Sequence, residues 1–273
     1  MVARRVSRRK RVTISLETLE QMRKLCLMDN DFMTIALDNN IPCVQEMLRV
    51  ILSKDDLVVK KVQTQKMFKG FSRSICLDVY AEDSAGTRYN IEIQQASEGA
   101  DPRRPRFHGS MIDTRSLKAG QDFKDLPECY VIFITLEDVL GLGQTIYTIH
   151  RYIDGKLVPF NDGSHIVYIN GAAKDDGTEL WKLIHDLKCT DASEMYFPRL
   201  RERVKFLKED EKGREKMSSY FEKQRKEAEA RGKIIGKIET LAGLVRKGLL
   251  SLKDAAVTMG LSENEFSAQM AAL

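Results

Sequence analysis

Asp78 and Glu92 are the two residues of this 273-residue chain best placed to do chemistry together. Ser74–Glu82 and Arg88–Gln95 each alternate apolar and polar residues, the period of a strand with two unlike faces. Between them, Asp83-Ser-Ala-Gly-Thr87 carries a glycine able to take φ > 0, so the unit predicts an antiparallel hairpin. A turn centred on Ala85 sets Asp78 opposite Glu92, with Asn90 and Gln94 on the same face. Ile75, Leu77, Val79, Ile91 and Ile93 then point to the other, apolar one. Opposed Cβ atoms lie roughly 4.5–5.5 Å apart, where two like charges destabilise a sheet. A divalent cation held between them removes that repulsion. The pair is therefore either a metal site or two carboxylates on the solvent side of a hairpin. The run of Ile, Cys, Leu, Val and Tyr around Asp78 favours the first, since an uncompensated charge near a core is costly.

The elements that must position this pair are legible on either side. Asp29 is placed to cap a helix running to Asp38, and Pro42 suits the first turn of another, in which Val44, Met47, Leu48 and Ile51 share a face. Leu57–Phe68 reads as a strand ahead of the hairpin. After it, Arg103 and Arg104 precede Pro105 in a loop, and Arg106–Leu117 forms a crossing helix. Tyr130–Leu136 is apolar enough for a buried central strand. Thr145–Tyr152 and Lys156–Pro159 flank Asp154-Gly155 as a second hairpin. His165–Ile169 is a further strand and Thr178–Leu187 a helix.

Composition bounds the rest. Hydrophobic residues at 42% and charged residues at 31% describe a globular chain able to bury one sizeable core. No segment approaches the roughly 20 apolar residues of a membrane helix, and the N-terminus lacks an apolar signal region. Cys26, Cys43, Cys76, Cys129 and Cys189 are scattered, with no Cys-x-x-Cys, which points to a reducing, cytoplasmic setting. With a net charge of only +4, nucleic-acid affinity has to come from local patches. Arg4, Arg5, Arg8, Arg9, Lys10 and Arg11 form one such patch, either a solvated tail or a grip on phosphates.

After Pro198 the chain becomes strongly charged with a sparse apolar face, as in a long or broken solvated helix. Ser251–Phe266 then reads as helix, Gly260 turn, helix, with Ser262 and Glu265 as a capping box. The outline is that of a helix-turn-helix, but no Lys or Arg follows Asp254, which favours packing or homo-oligomer formation through these helices over DNA reading. The expected organisation is a basic tail over 1–25, a catalytic domain over 26–198, a charged helical linker over 199–238 and a small helical unit over 239–273.

An Asp on one strand followed by Glu-x-Lys or a variant on the next is the signature of the PD-(D/E)XK nucleases. Here it reads Asp78…Glu92-Ile93-Gln94, with Gln for Lys. In order, Arg73–Asp78, Tyr89–Gln94, Arg104–His108, Gly120–Phe123, Leu126–Ile134, Phe160–His165 and Tyr168–Gly171 resemble the transposase-associated branch, the recombination-promoting nuclease type. The resemblance implies a restriction-endonuclease-like α/β core, αβββαβ with a central mixed sheet flanked by helices, carrying a C-terminal helical extension. It implies a DNA endonuclease using Mg²⁺ or Mn²⁺, with Asp78, Glu92 and the Ile93 carbonyl as ligands and Glu46 as an additional acidic one. Gln94 takes the place of the catalytic Lys; its amide can orient a water but is no general base near pH 7. Arg73, similar to a recurrent basic position of the family, is a candidate DNA contact. Arg104, Arg106 and His108, a short way beyond the Glu-x-Gln strand, are three more. The alternative is a catalytically weak or inactive nucleic-acid-binding or protein-interaction protein that retains the fold.

Overall fold

The computed structural model describes residues 14–70, 73–95 and 97–271; the cationic stretch Arg4–Arg11 lies outside them. Three helices come first: α1 (Leu16–Lys24), α2 (Asn30–Leu37) and α3 (Ile41–Leu52). Asn40 starts α3 by accepting from Cys43 N at 3.4 Å, and Pro42 sits in the first turn, where its missing N–H costs nothing. Val44, Met47, Leu48 and Ile51 are buried as the periodicity predicts. α2 does begin after Asp29, yet that carboxylate turns away from the helix and accepts from Cys26 N and Gln95 Nε2.

The sheet follows: β1 (Val59–Phe68), β2 (Ile75–Asp83), β3 (Arg88–Gln94), then α4 (Arg103–Ser116), β4 (Cys129–Thr135) and β5 (Ile146–Ile149). After β5, β6 (Tyr152–Ile153) and β7 (Val158–Pro159) form a separate two-stranded ribbon, and β8 (Ser164–Asn170) returns to the main sheet. The order is β1-β2-β3-β4-β8-β5, with β4 parallel to both β3 and β8 and the remaining pairs antiparallel. Central β4 is buried almost throughout, as a parallel strand with neighbours on both sides requires. α4 packs across β2, β4 and β8, whereas α2 and α3 pack on β1. α5 (Glu179–Lys188) and α6 (Pro198–Glu209) lie against α3. The run from α3 through β1, β2, β3 and α4 to β4 is the expected αβββαβ order.

The hairpin turns where predicted. Asp83 Oδ1 accepts from Ala85 N and Thr87 N, both at 2.9 Å, and Gly86 takes φ of 89°. Val79 pairs with Ile91 and Glu82 with Arg88, which centres the turn on Ala85.

Several expectations are corrected. α4 starts at Arg103, not Arg106: Asp101 Oδ1 accepts from Arg103 N at 2.8 Å, and Pro105 falls in the first turn, where a proline is tolerated. Thr145–Tyr152 is not one strand; β5 joins β8, and only Tyr152–Ile153 and Val158–Pro159 pair about Asp154-Gly155. Ile75 and Leu77 lie in one buried cluster with Tyr80, Met111 and Phe133, so the simple two-faced alternation of β2 fails around Asp78.

The chain divides into two compact units at Met217/Ser218, inside α7 (Glu211–Arg246). Leu200, Val204 and Leu207 of α6 are buried in the first unit, so 199–217 does not behave as a linker, and α7 runs through the expected 238/239 boundary. In the second unit, α8 (Leu252–Met259) ends at Gly260 (φ 68°) and α9 (Glu263–Ala271) opens on the predicted capping box, Ser262 N donating to Glu265 Oε2 at 2.9 Å. Ala255, Ala256 and Phe266 are buried with Ile238, and Leu252, Met259 and Leu261 pack around them with Leu241 and Val245. Of the two partners open to these apolar residues, a second copy or the preceding helix, the chain's own α7 covers them.

Candidate active site

The β2–β3 pairing ends at Val79 and Ile91, and the next residues are Asp78 and Glu92. Side chains make the following rungs. Asp78 N donates to Glu92 Oε1 at 3.2 Å, and Ile93 N donates to Asp78 Oδ2 at 3.1 Å. The N–H and C=O of a strand residue project to the same edge, so the Ile93 carbonyl also faces β2 and Asp78. On the other side of β2, Gln65 falls opposite Asp78, between the Thr64–Val79 and Lys66–Leu77 pairs, with a left-handed φ of 49°. A non-glycine residue held at left-handed φ is local backbone strain of the kind that clusters at functional sites. Gln65 Nε2 lies 3.4 Å from Asp78 Oδ1, and Gln65 Oε1 accepts from the Cys76 thiol.

Glu92 is fully buried, against the picture of a solvent-facing carboxylate, because α4 covers it. Arg104 and His108 are one helical turn apart and both turn toward β3. Arg104 Nη2 lies 3.2 Å from Glu92 Oε2, Nη1 donates to Gln94 Oε1 at 3.1 Å and to Gly99 O at 2.7 Å, and Nε faces His108 Nε2 at 3.5 Å. His108 is buried, with Nδ1 3.2 Å from Asn90 Nδ2 and 3.5 Å from Glu92 Oε1. A buried Glu92 is tolerable because the Arg104 guanidinium and the Asp78 N–H pair with it, with the His108 ring alongside.

Asp78 has less help. Burial, and then the neighbouring Glu92 carboxylate, push it up to about 6, against the opposing Ile93 amide, Arg104 and Gln65. A cation in the gap between the strands relieves both causes.

Asp78, Glu92, Gln94, Arg104 and His108 therefore converge beside the Ile93 backbone, and Glu46, Arg106 and Arg73 do not join them. Glu46 Oε2 instead takes the Leu200 amide at the start of α6. Arg106, two positions from Arg104, is exposed on another side of α4, and Arg73 is exposed ahead of β2. His108 is too buried to meet DNA and instead supports Glu92. Sequence reading missed Gln65 and Gly99. A Cβ on Gly99 would lie 2.2 Å from Gln94 Oε1, so a side chain there would displace the Gln94 amide from its present contact with Arg104.

Among the described residues no three His, Cys, Asp or Glu side chains cluster as a metal cage. Two carboxylates and a carbonyl facing one gap still suit Mg²⁺, which keeps several waters and takes one or two protein carboxylates. The residues fit such an ion.

The family model for PD-(D/E)XK nuclease family transposases matches residues 35–240, well over half of the chain. The chain belongs to this family. The match contains every converging residue. PD-(D/E)XK nucleases generally use divalent metals. Among curated proteins and among solved structures there is no match. Among the described residues no helix is long and apolar enough to cross a membrane.

Proposed function

We propose that this protein is a metal-dependent DNA endonuclease that hydrolyses phosphodiester bonds in transposition or recombination. The observation that carries the reading is the junction of β2 and β3, where Asp78 and Glu92 each bind the other's strand beside Arg104. Asp78, Glu92 and the Ile93 carbonyl would hold Mg²⁺ or Mn²⁺, which supplies Lewis-acid polarisation of the phosphate and a more acidic water. The chain's own residues do the positioning. Arg104 has five N–H donors, of which four are engaged with His108, Gln94, Gly99 and Glu92. The remaining Nη2–H is available to a phosphate oxygen, and the guanidinium charge offsets the negative charge that grows there. Gln94, its oxygen occupied by Arg104, offers only its NH₂. It can fix a water or a phosphate oxygen, but it takes no proton.

Water then adds across one P–O bond, leaving a phosphate on one end and a hydroxyl on the other. Supercoiled plasmid incubated with Mg²⁺, Mn²⁺ or EDTA tests this: nicking with metal and none in EDTA is expected, and an inert protein under all three conditions refutes it. A second reading, DNA binding with weak or no cleavage, is favoured by the neutral Gln94 in the Lys place. A cytoplasmic setting is supported by five free cysteines. Self-association through the C-terminal helices loses its main support, because Ala255, Ala256 and Phe266 are spent inside the chain.

A further inference from the structure

The same sheet face carries a second feature at the other end of α4. A cavity of about 520 Å³ is lined by Lys61 and Lys66 of β1, Lys69 after it, Arg88 of β3 and Arg115 of α4. The one carboxylate in its wall, Glu82, pairs with Arg88. Arg115 is spent in part on the Lys69 carbonyl. What remains is unbalanced. Arg88 Nε is buried without a hydrogen-bond partner. Lys66 has its ammonium 3.3 Å from the Tyr80 ring centroid. Burial, then the nearby Lys61 and Arg88, push it down to about 8, with Glu82 opposing. Cations crowded into a concavity with an idle buried donor are poised for an anion.

Strand geometry gives the distance to the catalytic pair. Arg88 and Glu92 sit four residues apart on β3, about 13 Å at roughly 3.3 Å per residue. We propose that this cavity seats a backbone phosphate of the bound DNA, about 13 Å from the bond cut at Asp78 and Glu92. The distance rests on the nuclease reading; the phosphate seat itself does not.

The test is fluorescence anisotropy of a labelled duplex oligonucleotide in EDTA across a salt series. Lys61→Ala with Lys66→Ala is expected to weaken binding at least tenfold at low salt. The slope of log K against log salt should fall by about 0.9, the value for one lost phosphate contact. Lys60→Ala, which removes one charge from β1 outside the cavity, is expected to leave the slope unchanged, and Lys66→Ala alone is the charge-matched comparison. Should the double variant fail to fold by circular dichroism, Lys66→Gln against Lys66→Arg makes the same comparison, with the slope falling only for Gln. Equal slopes in cavity and control variants, or a wild-type protein that binds no duplex, would overturn the proposal. So would saturation of the wild type by micromolar inorganic phosphate alone, which would mark a seat for a free anion. Because the readout needs no cleavage, a protein that binds through this cavity but never cuts would refute the nuclease reading and leave the phosphate seat standing.

Discussion

Replacing Asp78 with Asn should make the metal-free protein more stable at neutral pH. Each tenfold change in a proton-binding constant is worth about 1.4 kcal/mol. The rise of Asp78 from 3.8 to about 6 therefore sets about 3 kcal/mol against the ionised folded form. The amide side chain of the Asp78→Asn variant would keep an acceptor for the Ile93 N–H but a weaker one, and the site is not wholly sealed from water. Halving the figure for both reasons leaves roughly 1–2 kcal/mol, or roughly 3–6 °C in Tm for a unit of this size. The sign follows from proton counting. Below pH 3.8 the carboxyl is protonated in both states and costs nothing. Between 3.8 and about 6 the folded state holds more protons than the unfolded one, so rising pH destabilises the parent. Above about 6 the full cost is present. Thermal melts in EDTA at pH 4 and pH 8 should accordingly give matching Tm values at the first and a higher Tm for the variant at the second. A variant less stable at pH 8, or a difference independent of pH, would refute the account of Asp78 as a strained, desolvated acid.

The remaining expectations concern function. Asp78→Ala or Glu92→Ala should abolish metal-dependent plasmid nicking while circular dichroism stays native; cleavage retained in both would move the active site elsewhere. Mn²⁺ at about ten times its Kd should stabilise the parent by about 1.4 kcal/mol and leave Asp78→Asn nearly unmoved, read in melts without EDTA. Gln94→Leu should lose most activity, whereas Gln94→Glu, able to pair with Arg104, should retain metal binding with a changed pH dependence of turnover; a fully active Leu variant would make the side chain a bystander. Gly99→Ala should fold yet cut more slowly, since its Cβ would occupy the Gln94 oxygen's place, and single-turnover rates measure that directly.

How much of this was legible depended on whether the signal was local. The hairpin register was, because Asp83 and Gly86 fix the turn and the turn fixes which residues face each other. The burial of Glu92 and Asn90 was not. Alternation marks a polar face, but not whether a helix will cover it, and α4 covers this one with Arg104 and His108 instead of apolar residues. The left-handed Gln65 left no trace either, being a non-glycine residue held by tertiary contacts with Thr34, Cys76 and Asp78. Pro105 misled for a simpler reason: it marks a loop or a first turn equally well, and here it sits in the first turn. The C-terminal apolar residues were found correctly, but their partner, α7, looked like a charged linker because its buried apolar residues are few and far apart, Met217 near its start and Ile238 and Ala242 near its end.

The paired acids have one more property. Their oxygens cap two main-chain amides, those of Asp78 and Ile93, that the sheet itself leaves without a carbonyl. Any visitor that draws those oxygens away unlatches the amides, and any visitor that clamps the two strands shields them. Deuterium uptake at these two protons therefore acts as a clock on the site: it reads occupancy from the backbone, in solution, with no bond in DNA needing to break.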